Sequence, residues 1–348
     1  MKSISFGRDK TQILKGIALI LMIIHHTVNP GYWAEEGSVL YQVLDKIGAA
    51  TKICVWIFAF LVGYGYYCSK NKTLKYSIKR ILLLVIPFWM MLFLLFIPLA
   101  YASGNLYEAL TSGGGNWLVG LIYNMFGCVE TLNWYSWFVG VYCISILFMP
   151  LLDKLFQKYP KYGWITAILV FYAAAVLLHF IPGWADMPLV SMLFTTFRII
   201  AIIIVGYMCA MWNEQGKIPR WFEGKSRLLL SILAICAVLL IQAANIPSAG
   251  FCIQAFYTPV LVFAIVGICN SFDSGWLKSA LSKVGDLSMY MWFFHAIFFT
   301  ESVNLYTKNL VFEPFHTWAY TFVMTFVLTY LGSWGIQAAL SPIIKRIK

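Results

Sequence analysis

Polar residues in this chain fall in clusters, separated by apolar stretches of about 20 residues. That length carries an α-helix, at about 1.5 Å per residue, across roughly 30 Å of hydrocarbon. Ten stretches predict ten membrane-spanning helices, over residues 12–30, 47–69, 79–101, 134–153, 163–181, 190–212, 227–244, 253–270, 287–303 and 318–340. The expectation is an all-α, polytopic integral membrane protein in which 1–348 form a single membrane-embedded domain without internal repeats. One segment, 102–133, breaks the alternation. Its polar run Thr111, Ser112, Gly113, Gly114, Gly115 and Asn116 precedes an apolar dozen from Trp117 to Cys128, too short to cross a bilayer. It predicts an outer loop with a re-entrant or interfacial helix, serving either as a cover over an outward-facing substrate or as a loop resting on the membrane.

Composition supports lipid as the solvent. Of 348 residues, 61% are hydrophobic and only 11% charged, against about 25% charged in ordinary soluble domains. Disorder and a cytosolic enzyme are excluded, and so is a nucleic-acid partner, although the net charge is +11. The charge has a direction. Twenty-one of the 25 Lys and Arg residues lie at the start of the chain or after the even-numbered stretches: Lys2 to Lys15, Lys70 to Arg80, Lys154 to Lys161, Lys217 to Arg227, Lys278 with Lys283, and Lys345 to Lys348. By the positive-inside rule both termini are cytoplasmic, in a multi-pass protein of the cell (plasma or inner) membrane. The first stretch, ending His25, His26, Thr27, Val28, Asn29 and Pro30, has no small-residue cleavage pattern and reads as an uncleaved helix. The eight cysteines form no CxxC pair and are expected as buried packing thiols, with no metal site.

Few ionisable residues lie inside the stretches. At about 2.5 to 3.5 kcal/mol for a central Arg, they are candidates for function. His25 and His26 lie in the first, Arg198 in the sixth, His295 and Glu301 in the ninth, and His179 near the outer end of the fifth. By helical rise His26 is about 16 Å beyond Lys15 and His295 about 18 Å beyond Lys283, while Arg198 enters about eight residues from the other side. His26, Arg198 and His295 are therefore expected at one depth. Lys15 and His26 also share a helix face, since eleven steps of about 100° come within roughly 20° of three turns, whereas His25 points about 100° away.

The chemistry this set fits is acyl transfer across the membrane. An imidazole can take the proton of a sugar hydroxyl as it attacks a thioester, with Arg198 or His295 stabilising the oxyanion. Lys15, Lys79 and Arg80 offer positive charge to the phosphates of coenzyme A. Trp134 and Trp137 fit an aromatic belt or the lining of an acceptor channel. Glu301 is a candidate for acceptor binding, Glu130 and Asp186 are further outer-face carboxylates, and Lys308, Glu313 and His316 read as solvated loop residues.

Five segments resemble the membrane-bound acyltransferase family 3. "ILKGIALILMIIHH" resembles its first-helix signature, a basic residue and Gly leading to a catalytic His. "WIFAFLVGYGYYCSKNKTLKYSIKRILLLVIPFW" is similar to its second helix, basic loop and third helix. "NWYSWFVGVYCISILFMPLL" resembles its Trp-Phe helix, "FRIIAIIIVGYMCA" a later helix, and "VGDLSMYMWFFHAIFF" the penultimate helix with its His. The resemblance implies transfer of an acyl group, most often acetyl, from cytoplasmic acyl-CoA to a hydroxyl of a sugar or other cell-envelope acceptor. It puts His26 in the catalytic position, Lys15 and Arg80 in the basic positions of the first and third helices, and His295 in that of the late histidine. Two positions depart from the pattern: Lys15 stands where Arg is usual, and Leu83 follows Arg80 where a second arginine often stands, which implies either that Lys75, Lys79 or Arg80 binds the donor differently or that the donor differs.

The leading expectation is an acyl-CoA-dependent membrane O-acetyltransferase acting on a carbohydrate or lipid-linked glycan, with membrane lipids around it. Midplane ionisable groups also suit a proton-coupled transporter or flippase, or a ligand-binding membrane sensor. No duplicated pair of broken helices supports the carrier.

Overall fold

The structure, a computed structural model, describes residues 4–112, 115–245, 252–272, 275–312 and 317–347. Lys2, Gly113, Gly114, Glu313, His316 and Lys348 lie outside the described residues. Among the described residues the chain is helical, without strands. In order the helices are α1 Arg8–Thr27, α2 Val39–Thr51, α3 Ile53–Tyr67, α4 Leu74–Met91, α5 Ile97–Ala102, α6 Leu106–Thr111, α7 Trp117–Phe126 and α8 Trp137–Lys158. They continue as α9 Gly163–His179, α10 Pro188–Glu214, α11 Leu228–Ala243, α12 Gln254–Ser271, α13 Gly275–Asp286, α14 Ser288–Phe294, α15 Lys308–Phe312 and α16 Trp318–Ile347.

Seven helical stretches among the described residues are long and apolar enough to cross a membrane: Val39–Tyr67, Leu74–Ala102, Trp137–Lys158, Pro188–Glu214, Lys225–Ala243, Gln254–Ser271 and Trp318–Ile347. They match seven of the ten expected spans and make this a multi-pass membrane protein. The other three differ for visible reasons. In α1 only the stretch Gly16–Ile24 is uninterrupted by charge, because Arg8, Asp9, Lys10 and Lys15 occupy one end and the two histidines the other. The apolar α9 has only 17 residues. The expected 287–303 helix is not continuous: α14 ends at Phe294, a 3₁₀ turn takes His295–Phe298, and turns follow.

The described residues divide into two compact units, 1–70 with 199–288 and 71–198 with 289–348. In the first, α1 lies against α13 at backbone distance. A Cβ on Gly16 would run into the carbonyl oxygen of Leu281, and one on Gly285 into that of Gln12. Gly63 and Gly206 do the same for α3 against the 199–214 part of α10, meeting Ile203 and Phe60. Small residues permit such approach where lipid supplies no hydrophobic drive for helix pairing. The chain ahead of α1 is pinned by Asn213, whose side chain accepts from the Ile4 amide at 2.8 Å and donates to the Ile4 carbonyl and the Tyr64 hydroxyl, both at 3.0 Å. Phe6 stacks on Tyr64 at 4.1 Å between centroids, so the start of α1 is fixed by polar and aromatic anchors together.

In the second unit α4 and α8 pack side by side and carry a polar seam. Lys72 pairs with Asp153 at 3.4 Å, and Gln157 donates to the same carboxylate at 2.8 Å. The helical path through 74–102 includes a π-helical stretch at Leu92–Phe96, just ahead of Pro98, whose missing N–H disrupts the regular ladder. Among its described residues the 102–133 segment holds two short helices, α6 and α7. Gly120 of α7 sits against the Leu110 carbonyl of α6, and Asn116 caps α7 by accepting from Leu118 and Val119. Trp89 Nε1 donates to the Met125 carbonyl at 2.8 Å and ties α7 to α4.

Candidate active site

Lys15 and His26 belong to the first unit, on the uninterrupted helix α1, and both are half-buried. Their neighbour His25 has a structural partner. Its Nδ1 lies 2.7 Å from the carbonyl oxygen of Gly48 in α2, an acceptor, so Nδ1 carries the proton. The rings of His25 and His26 meet edge to face, 4.7 Å apart at 61°. The two adjacent histidines are thus distinguished: His25 is fastened to α2, and its ring in turn buttresses that of His26.

In the second unit His295 is fully buried. Nδ1 is 3.2 Å from the Met291 carbonyl, and Tyr135 stacks on the imidazole, 4.6 Å between centroids at 18°. The segment 131–135 is stitched to 292–302 by four hydrogen bonds: Asn133 Nδ2 to the Phe293 carbonyl at 3.2 Å, the Trp134 amide to Thr300 Oγ1 at 3.2 Å, Trp292 Nε1 to the Tyr135 carbonyl at 2.8 Å, and Ser302 Oγ to the Thr131 carbonyl at 2.5 Å. These bonds explain why the expected ninth span breaks. Asn133 occupies the Phe293 carbonyl, which a continuing α-helix would offer to the Ile297 amide, and the chain tightens to 3₁₀ from His295 onward. The helix is also interrupted at Leu287, between α13 and α14. A depth for His295 counted by helical rise from Lys283 therefore does not apply.

Arg198 occupies other surroundings in the same unit. Half-buried, it lies over the Phe194 ring at 5.3 Å, and Phe194 packs on Trp184 and His179. Stacking on an aromatic face is a favourable setting for a guanidinium within a span. On α4, Lys79 and Arg80 are exposed, and Arg80 Nε donates to the Tyr142 hydroxyl of α8 at 3.2 Å. Glu301 is exposed in the turn after the 3₁₀ segment, and Trp137 packs edge-on against Phe138. Glu130, in the loop after α7, is half-buried, and burial pushes its carboxyl up to about 8. Among the described residues no three His, Cys, Asp or Glu side chains group as metal ligands. Of the eight cysteines, Cys68 and Cys236 are exposed and four are buried, so packing thiols describe only some of them.

Sequence reasoning passed over Asn133, Tyr135 and Tyr142. The signal for the first two was present in Asn133-Trp134-Tyr135-Ser136-Trp137, where polar and aromatic residues alternate directly ahead of an apolar helix.

No curated protein and no solved structure matches this chain. A family model described as an acyltransferase domain matches residues 11–337, from α1 through most of α16 and across segments of both units. With all but its extreme ends covered by that match, the chain belongs to the membrane-bound acyltransferase family 3.

Proposed function

We propose that this acyltransferase moves an acetyl or other short acyl group from acyl-coenzyme A to a hydroxyl of a cell-envelope carbohydrate or related acceptor. The observation that supports it is the family match over 11–337, within which Lys15 and His26 stand eleven residues apart on one face of an unbroken helix. His26 acts as general base. It takes the acceptor hydroxyl proton as the oxygen attacks the thioester carbonyl; the resulting tetrahedral oxyanion collapses with cleavage of the C–S bond, and the imidazolium returns its proton to the departing thiolate. Arg198 and His295 are assigned to charge stabilisation, which in a water-poor site contributes more than in water.

Lys15, Lys79 and Arg80 are assigned to the donor phosphates, reached from the cytoplasmic side where the basic segments put both termini. Trp134, Trp137 and Glu301 are assigned to the acceptor, with the 102–133 segment on that side of the membrane. The chemistry these residues supply needs no metal.

The deciding experiment measures coenzyme A release from acetyl-CoA by purified protein, alongside mass spectrometry of envelope glycans for one added acetyl group. His26→Ala is expected to abolish both while the protein still inserts in the membrane. Normal transfer by that variant overturns the assignment, and substrate uptake into proteoliposomes without any donor favours the carrier reading.

A further inference from the structure

We propose that the turn joining α8 to α9 is a binding site for an anionic phospholipid headgroup, its phosphate held by Lys158 and Lys161. A pocket of about 530 Å³ opens there, lined among others by Leu155, Lys158, Tyr159, Lys161, Tyr162 and Thr166. None of these residues has a part in the acyl-transfer reading, and the site rests only on the chain being a membrane protein.

The turn is a built feature. Tyr159 leaves the helical region at φ −128° and ψ 67°, Pro160 cannot continue α8, and Gly163 opens α9. A Cβ on Gly163 would lie 3.1 Å from the Leu155 carbonyl oxygen and 3.3 Å from Tyr159 Cβ, so glycine lets α9 close on the end of α8. A backbone bond from Gly163 to Tyr159 at 2.8 Å holds the two ends together, and one from Thr166 to Tyr162 at 2.9 Å starts α9.

Three observations favour a lipid. Charge is the first: Lys154, Lys158 and Lys161 fall within eight residues, no acidic residue lines the pocket, and neighbouring Asp153 is buried and engaged by Lys72 and Gln157. Position is the second. The candidate span Trp137–Lys158 ends where the pocket begins, so the lysines lie at a membrane boundary, beside the exposed Tyr159 and Tyr162, residue types suited to that level. The third is the flank. Leu151 on α8 and Ile165 and Leu169 on α9 are 65%, 42% and 58% exposed, apolar side chains on the two helices that flank the pocket, the kind of surface acyl chains would cover. A free phosphate has no use for those apolar side chains, whereas basic pockets between membrane helices suit lipid headgroups.

The test is native mass spectrometry of the full chain in detergent, titrated with dioleoylphosphatidylglycerol and separately with dioleoylphosphatidylcholine. Wild-type protein is expected to retain the glycerol lipid preferentially. Lys158→Ala with Lys161→Ala should weaken its retention about tenfold, and Tyr162→Ser should weaken it less, while Lys345→Ala with Arg346→Ala leaves it unchanged. Melting without lipid checks that each variant is folded. Equal loss in both double variants, no loss in the turn variant, or full displacement of the lipid by excess glycerol 3-phosphate or coenzyme A overturns the proposal.

Discussion

Tyr135 lies face to face on His295, with ring centroids 4.6 Å apart and planes 18° from parallel. The Nδ1 bond to Met291 and this stack fix the imidazole in tautomer and in plane, while the four hydrogen bonds between 131–135 and 292–302 fix the segment that carries it. A histidine held this way has its orientation set by a backbone carbonyl and an aromatic face. The stack contributes about 0.5 to 1.5 kcal/mol beyond the area it buries.

Replacing Tyr135 should therefore separate ring from hydroxyl. Tyr135→Phe keeps the stack and is expected to retain near-normal acyl transfer and melting temperature. Tyr135→Ala should lower transfer about tenfold or more and reduce stability by about 1 to 2 kcal/mol, less than a full large-to-small core change because the ring is half-buried. Equal activity in the two variants would show that the stack does not position His295.

The adjacent histidines give a second test. His25→Ala removes the bond to the Gly48 carbonyl, which still accepts from the Lys52 amide at 3.2 Å and from Thr51 Oγ1 at 3.1 Å, so the cost is that of one hydrogen bond, about 0.5 to 1.5 kcal/mol in stability. It should keep most of its transfer activity per folded molecule. His26→Ala should show the reverse, near-normal melting with activity down about 10² to 10⁴-fold, the range of general-base catalysis. Parallel activity and melting measurements check the pair; equal activity losses would remove the distinction between the two faces of α1.

The long apolar stretches were legible because span length is set by the bilayer, and seven reappear as helices of sufficient length. The break at 295 was not legible, since nothing in Trp292-Phe293-Phe294-His295 opposes a helix locally. The opposition comes from Asn133, about 160 positions away, which takes the Phe293 carbonyl. Likewise Lys15 and His26 could be placed on one face because both lie on one helix, whereas His295 could not be placed by counting across the interruption at Leu287. Tyr142 escaped because a tyrosine in an apolar run reads first as packing, whereas Tyr135 stands in a legible polar and aromatic run but its partner His295 lies far along the chain.

Glu130 predicts a pH dependence of stability. Its folded-state carboxyl is raised to about 8 by burial, against about 4.3 for an unperturbed Glu. Between those values the folded chain holds a proton that the unfolded chain releases, so this group lowers stability as pH rises from about 4 to 8 and has no effect below that window. Glu130→Gln should melt with wild type at pH 4 and a few degrees above it at pH 8. Thermal scans across that range check it, and a variant that melts lower at pH 8 would mean the carboxylate is ionised and partnered.

Tyr142 is expected to act on donor affinity through Arg80. The Nε–H donates to Tyr142 Oη and Tyr76 also bonds the guanidinium, so the two tyrosines set the plane from which its remaining N–H groups can donate to phosphate oxygens in the bidentate geometry that a lysine cannot offer. Tyr142→Phe removes only the acceptor. It should raise the KM for acyl-CoA about three- to tenfold with kcat little changed, the pattern of an interaction made equally in the ground and transition states. Arg80→Lys should show a similar KM effect, and combining it with Tyr142→Phe should add little, because the second change removes a partner the lysine does not use. Steady-state kinetics over a range of acyl-CoA concentrations decide the matter. A fall in kcat at constant KM would place Arg80 with the reacting atoms instead of the donor phosphates, and independent, fully additive effects would show that Tyr142 does not act through Arg80.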